Sequence, residues 1–417
     1  MTQTFEWWLG VDWGGAAHEL CLIDGTGDVV GTRTVAHTAV AVHEAVGWIR
    51  AQTGAEPTAI AVAIETPRGV LVDTLIEQGF PVFALNPKQL DRFRDRFSVA
   101  GAKDDARDAH ALADGLRTDR RAFRPVRPDD PLIIQLRELG RLREELLEEE
   151  RRLANRLRDQ LYRVDAAWLS FSPAADEPWL WTVLAETPDP AAWAQLPRRR
   201  LTPVLRAHRI RRLTTDAVIA ALRQPRLRVA AGVTEAVTAR IAALVPQLRV
   251  VYAQRTDSER QIDRLLERLA RVENAESEPA EHRDVEILQS LPGAGRMVTA
   301  TMLGEASALL ADRDYHMLRA YAGAAPVTQR SSKRLCVHMR YACNQRLRAA
   351  LYHWSRISIQ HDEAARAYYD ALRTRGHRHA RALRSVADRW LRILVAMLKT
   401  KKLYDPSRFV QAVAVPA

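Results

Sequence analysis

Trp8-Leu9-Gly10-Val11-Asp12-Trp13-Gly14 and Ala61-Val62-Ala63-Ile64-Glu65-Thr66-Pro67 decide the fold of the N-terminal part. Each is a short apolar, β-prone run that ends in a carboxylate and then in a turn signal. That is the pattern of a buried strand delivering an acid to the edge of a sheet. Similar runs occur at Trp7 to Val11, Glu19 to Ile23, Val29 to Val35, Ala59 to Ile64 and Pro81 to Leu85. Helical stretches lie between them near Val40 to Gln52 and Gly69 to Gln78. Hairpin-joined strands followed by helix, strand, helix and strand predict an α/β domain, a mixed sheet with helical cover. Lys103-Asp104-Asp105-Ala106-Arg107-Asp108-Ala109 then opens a further helix, with Asp105 and Asp108 three residues apart on one face.

Carboxylates at two strand ends and a helical pair can converge at one sheet edge. Asp12, Glu65, Asp105 and Asp108 would offer four hard oxygen donors there. Such a set suits Mg²⁺, with Mn²⁺ as the alternative, and a metal pair about 3.5–4 Å apart would clamp the attacking and leaving oxygens of phosphoryl transfer. Each acid also has a plainer reading. Asp104 and Asp105 can cap a helix N-terminus, and Asp12 can open a turn before Gly14. The joint placement favours ligation, since acids directly after apolar runs are costly unless paired or ligating.

Composition changes after the turn-rich Arg127-Pro128-Asp129-Asp130-Pro131. Beyond it Leu132, Leu136, Leu139, Leu142, Leu146, Leu153, Leu157 and Leu161 recur at three-, four- and seven-residue intervals, with charges between them. This predicts a long amphipathic helix, coiled-coil-like, with a returning partner at Ala239 to Val272 that Pro246 should kink. Residues 165–230 read only as short helices punctuated by Pro and Trp. A third, all-α region begins near Asp284, giving expected divisions at 1–127, 128–283 and 284–417.

In that third region Leu288-Gln289-Ser290-Leu291-Pro292-Gly293-Ala294-Gly295-Arg296 reads as the turn of a helix-hairpin-helix. Gly293 and Gly295 would free backbone N–H groups for a phosphate without reading sequence. Further on, Pro326-Val327-Thr328-Gln329-Arg330-Ser331-Ser332-Lys333-Arg334-Leu335 sets two serines among Arg330, Lys333 and Arg334, with Arg340 nearby. A serine hydroxyl attacks only when its proton is removed or its target phosphate is neutralised, and these cations would do the latter. The plainer reading is a polar loop that touches phosphate without chemistry. Residue types alone do not choose between Ser331 and Ser332.

The 417 residues carry a net charge of +11. Arg330 to Lys402 holds 18 Lys or Arg against four acids, an excess of +14, while the rest of the chain sums to −3. A block this basic attracts a polyanion by counterion release. Cys21, Cys336 and Cys343 form no CxxC pair and no disulfide framework, which fits a reducing cytoplasm. No run of about 18 apolar residues and no signal-peptide pattern is present, so neither a membrane span nor export is expected.

The order and spacing of Gly10-Val11-Asp12-Trp13-Gly14, Ala63-Ile64-Glu65-Thr66-Pro67 and Lys103 to Ala109, then Leu288 to Gly295, then Ala325 to Lys333 with Arg340 to Asn344, closely resembles the insertion-sequence-110 family transposases. The likeness covers about 7–117 and 285–400, with the leucine-rich helices between, in the family's order. It implies an N-terminal RuvC-like (ribonuclease H-like) domain of DEDD type and a serine-bearing transposase domain. Asp12, Glu65, Asp105 and Asp108 then become the catalytic tetrad, and Ser331 aligns with the nucleophile. The family usually follows that serine with glycine, whereas this chain has Ser332. The resemblance further implies donor and target DNA, a noncoding guide (bridge) RNA, and homodimers that pair into tetramers. Two other classes stay in view: a metal-dependent junction resolvase that needs no serine, and a non-catalytic nucleic-acid-binding scaffold.

Overall fold

A computed structural model describes residues 4–67, 69–85, 87–96, 104–127, 129–225, 228–272, 284–331 and 334–407. It divides into two compact units, 1–129 and 130–417.

The first unit opens with three strands, β1 (Trp7–Asp12), β2 (Ala17–Ile23) and β3 (Val29–Ala36), and a helix, α1 (Ala39–Thr53). There follow β4 (Ile60–Ile64), α2 (Val70–Glu77), β5 (Val82–Ala84), α3 (Pro87–Arg94), α4 (Asp105–Thr118) and the two-residue β6 (Arg124–Pro125). The strands join in the order β3-β2-β1-β4-β5-β6. β1 pairs antiparallel with β2 and parallel with β4, and β4 runs parallel to β5. The five strands, α1 and α2 lie where apolar alternation and run length predict them; β6 and α3 carry too few apolar residues to be read in advance.

Burial follows from this order. All five residues of β4 are buried, as a central strand covered on both faces requires. Leu9, Val11, Val62 and Ile64 pack in one core with Val42, Ile49 and Leu71 of α1 and α2. Ala61 and Ala63 point to the opposite face, against Leu112 and Leu116 of α4. Small residues on that face let α4 come unusually close. A Cβ added at Gly10 would lie 1.8 Å from the Ala109 carbonyl oxygen, so β1 and α4 touch backbone to backbone. Gly10→Ala is therefore expected to destabilise this unit by at least about 1–3 kcal/mol, the ordinary cost of overpacking. Thermal unfolding followed by circular dichroism measures it, and an unchanged melting temperature would contradict the contact.

The second unit is almost wholly helical. Its elements are α5 (Pro131–Val164), α6 (Pro178–Glu186), α7 (Arg198–Ala207), α8 (Thr215–Leu222), α9 (Val233–Val272), α10 (Asp284–Ser290), α11 (Arg296–Ala311) and α12 (Tyr315–Tyr321). Two strands follow, β7 (Val327–Ser331) and β8 (Arg334–His338), then α13 (Gln345–His361), α14 (Glu363–Thr374) and α15 (His379–Thr400). The expected long helix and its returning partner are α5 and α9. The start of α5 and the end of α9 share one core (Leu132, Leu136, Ile262, Leu265), while the end of α5 and the start of α9 share another (Leu157, Leu161, Val237, Ile241). The two helices are thus antiparallel, joined along their length by Arg143–Glu259 at 3.0 Å and Arg255–Glu150 at 2.7 Å. α9 continues through Pro246 as one helix. By length and composition it could cross a membrane, but its apolar stripe is spent on these two cores.

One core gathers α10 to α15 around Trp354 and Trp390. The other, at the far end of the α5–α9 pair, is built on Trp168, Trp179, Trp181 and Trp193, all fully buried or nearly so. The punctuating tryptophans of residues 165–230 are therefore core. The C-terminal part is not all-α as expected: β7 and β8 form an antiparallel hairpin, Val327 paired with His338 and Ser331 with Arg334. Val327-Thr328 and Cys336-Val337 are β-prone, and their alternation was obscured by the polar residues between them.

Candidate active site

The topology of the first unit brings two of the four sequence-predicted acids to one edge. Val11 is level with Ile64 across the parallel β1–β4 pair, which places Asp12 and Glu65 next to each other at the carboxyl ends of adjacent strands. Asp12 continues the face of Gly10, and Glu65 that of Ala61 and Ala63, toward α4. Asp104 caps α4 by accepting from the Ala106 N–H at 3.2 Å, so Asp105 is free of that task and opens the first turn. Asp108 precedes Ala109, the residue in contact with Gly10.

Glu19 joins them without having been expected. It lies directly opposite Asp12 in the β1–β2 register. Like charges facing each other across strands are destabilising, so carboxylates gathered at this edge call for a cation. Their all-oxygen donor chemistry suits a hard divalent ion. Asp108, however, is almost fully buried and is turned onto Arg94 Nε at 2.5 Å. Among the described residues no three acids, histidines or cysteines close on one point as a metal cluster. Ligation by all four would need Asp108 to use the oxygen that does not face Arg94, or to leave Arg94.

A histidine pair lies beside this edge. Buried His18 Nε2 meets His37 Nδ1 at 2.9 Å, and the Trp13 ring centroid lies 4.7 Å from His18 and 5.5 Å from His37. Burial, then the neighbouring His37, pushes the His18 pKa down. Gly69, at φ +109°, is held so close that a Cβ would meet the Trp13 ring at 2.4 Å. Trp13 is thereby wedged, and with it the backbone that carries Asp12.

In the second unit Ser331 is the last residue of β7, paired with Arg334. Arg330 is exposed, and Arg340 is half-buried with Nε 3.4 Å from the Ala325 carbonyl. Ser332 and Lys333 lie outside the described residues. The helix-hairpin-helix turn separates its two glycines. Gly293, at φ +76°, lies against α13, where a Cβ would meet the Ser358 backbone nitrogen at 2.6 Å, and Trp354 Nε1 donates to the Pro292 carbonyl at 2.9 Å. Its glycine is required for packing, with or without a ligand. Gly295 is exposed, with open space at its Cβ position, and begins α11 without a side-chain cap.

α5, α11 and the start of α13 share a partly buried polar network. Arg141 Nε donates to Glu305 Oε1 at 2.9 Å, and Asn344 Nδ2 donates to Glu305 Oε2 at 2.8 Å while Asn344 Oδ1 caps α13. Burial alone would raise the Glu305 carboxyl pKa. The bonds from Arg141 and Asn344, with the charges of Arg141 and Arg346, outweigh it and hold the pKa below the usual range. A depressed folded-state pKa gives stability that is present above the unfolded carboxylate pKa and lost as pH falls through the folded one. Glu305→Ala should cost about 3–5 kcal/mol at neutral pH and flatten the acid limb of stability against pH. Denaturant titrations across pH measure both, and an unchanged acid limb would refute the assignment.

Residues 9–164 match the DEDD_Tnp_IS110 family model, described as transposase, and residues 285–370 match the model of the transposase IS116/IS110/IS902 family. The mini-circle transposase for IS117 of Streptomyces coelicolor is 30% identical over 410 residues, covering 96% of this chain and 95% of that one. The chain belongs to the IS110 transposase family. Transposase y4uE of Sinorhizobium fredii is 45% identical over 213 residues, 51% of this chain and 59% of that one. The IS900 protein of Mycobacterium paratuberculosis is 28% identical over 412 residues, 96% and 97% of the two chains.

As a transposase of an insertion element, the protein is an enzyme that cuts and joins DNA. Its DEDD-type domain points to use of a divalent metal. Glu19, Arg94, His18 and His37 escaped the sequence reading. Glu19 sits within a strand that the sequence shows only by its apolar residues, and the other three meet their partners only through sheet pairing or packing.

Proposed function

We propose that this transposase exchanges DNA strands through a serine nucleophile, Ser331, assisted by a divalent cation held by Asp12, Glu65, Asp105 and Asp108. The observation that supports it most is the placing of Asp12 beside Glu65 at adjacent strand ends, on a β1 that packs against α4 through Gly10 and Ala109. Mg²⁺ suits the all-carboxylate set. A bound cation there would neutralise charge on a DNA phosphate.

Ser331 Oγ forms a bond to phosphorus as one phosphate ester bond breaks, and the leaving oxygen takes up a proton. The resulting phosphoserine conserves the ester for rejoining, in which a DNA hydroxyl displaces the serine. Arg330, Lys333, Arg334 and Arg340 hold the phosphate, and the exposed Gly295 offers α11's N–H groups to a neighbouring one. Donor and target DNA are chosen by pairing with a noncoding guide RNA, which leaves the protein to read backbone and shape. The +14 block of residues 330–402 supports a polyanionic partner of this kind.

The homodimer pairing into a tetramer belongs to the same proposal. Its contacts need more than the leucine stripe, most of which is spent between α5 and α9; Ile134, Leu142 and Tyr162 are the large hydrophobic residues that α5 leaves exposed. The basic block is also no detachable tail, because α13 to α15 carry one of the cores. Its role is tested by substituting its exposed arginines rather than by deletion.

The test of the function is a denaturing gel of protein incubated with labelled donor and target DNA and guide RNA. A covalent protein–DNA adduct is expected. Strand cleavage with no adduct at any time would favour a resolvase that uses water, and neither cleavage nor adduct would favour a binding scaffold.

A further inference from the structure

The tryptophan-cored lobe carries a basic surface of its own. Between Pro197 and Leu213 stand seven arginines and no acid. All seven are exposed. Arg198 pairs with Asp216, and Arg212 pairs with Glu177. Arg199, Arg200, Arg206, Arg209 and Arg211 have no carboxylate at ion-pair distance among the described residues. Arg198, Arg199 and Arg206 line a shallow groove of about 550 Å³ along α7, with Thr202, Pro203 and Ala207.

Helix stability does not explain this arrangement. Arg198, Arg199 and Arg200 fill the first turn of α7, where the helix dipole disfavours cations, and Pro197 supplies no capping side chain. Like charges packed this closely repel one another, a cost that a bound polyanion removes. Eight residues of helix rise about 12 Å from Arg198 to Arg206, a span of roughly three to four phosphates on one strand of duplex. Guanidinium groups are suited to such contacts, since their fork matches phosphate oxygens and is weakly hydrated.

We propose that the α7 arginine groove binds the phosphate backbone of duplex DNA, independently of sequence, at the end of the α5–α9 pair remote from the C-terminal helices. A DNA transposase must hold more duplex than the bonds it breaks. The α5–α9 pair, about 50 Å long, separates the tryptophan core from the core of α10 to α15. Two basic surfaces so separated can engage one duplex at two places. The inference rests only on membership of a DNA transposase family and not on which residue attacks the strand.

The test uses the full chain with Arg199, Arg200 and Arg206 all changed to Gln, and a second variant with all three changed to Lys. Binding to a labelled random-sequence duplex of about 40 base pairs is followed by fluorescence anisotropy between roughly 50 and 200 mM salt. The Gln variant should bind about tenfold or more weakly at low salt. Its plot of log K against log salt should be shallower by about two to three, close to 0.9 for each phosphate no longer neutralised. The Lys variant should keep most of the wild-type slope, and circular dichroism should show all three proteins equally folded. Unchanged affinity and slope in the Gln variant would overturn the proposal. So would a loss confined to an RNA duplex of the same length, or an equal loss in the Lys variant.

Discussion

Asp12→Asn is expected to lower strand exchange by about 10²–10³-fold or more, the usual effect of removing a group that stabilises transition-state charge. The amide has the shape of the carboxylate, and the residue that seats α4 on β1 is Gly10, so the sheet should survive the change. What is lost is an anionic oxygen donor beside Glu65. Nucleic-acid affinity should stay within about twofold, because the cations that supply it lie in the second unit, in the block 330–402 and along α7. A measurement separate from turnover is available as well. Mg²⁺ should raise the melting temperature of the wild-type protein and not that of Asp12→Asn, since an ion that binds only the folded state stabilises it. Full exchange activity in the variant would remove Asp12 from the site.

The adjacency of Asp12 and Glu65 was legible in the sequence because two kinds of regularity coincided. Apolar runs fixed β1 and β4, and each run ended on its acid, so parallel pairing was enough to put Asp12 beside Glu65. The helical pair Asp105 and Asp108 was legible from spacing, but the fate of Asp108 was not. Its contact with Arg94 depends on how α3 packs on α4, and no local pattern encodes that. Glu19 was hidden for a related reason: the register of an antiparallel pair decides what faces Asp12, and register is set by the whole hairpin.

The long helices were legible because their leucine period is set by one continuous interface. Gly293 stands out in the sequence as a turn glycine, but the reason it must be glycine does not. Its positive φ and its approach to Ser358 belong to packing on α13, some 65 residues away in sequence. The α7 arginines were obscured by summation. Net charge taken over all of the chain outside 330–402 comes to −3, since acids elsewhere in that stretch offset the arginine run; α5 itself is nearly balanced, with eight arginines and seven acids. A count in short windows finds the run between Pro197 and Leu213 at once, and folding then shows that its side chains are outside while the tryptophans beside it are inside.

Ser331→Ala is expected to abolish the covalent DNA adduct and to reduce strand exchange by roughly 10³-fold or more, as loss of a nucleophile does. Ser332→Ala should retain the adduct. The two serines are neighbours in sequence between the same basic residues, Arg330 on one side and Lys333 and Arg334 on the other, so charge does not separate them. Ser331 closes β7 opposite Arg334, in a paired strand whose register holds it in place, and Arg330 precedes it on that strand. A nucleophile gains most when its geometry is fixed before the substrate arrives. Ser332 stands where the family usually has glycine, a residue chosen where the chain must turn tightly rather than where a side chain must reach. Both variants are read on the same denaturing gel, with DNA binding measured in parallel to show that phosphate capture is intact. Loss of the adduct in Ser332→Ala with survival in Ser331→Ala would move the chemistry to Ser332. Survival in both would mean that neither serine forms the link, and the acids of the first unit would then have to direct water against the strand.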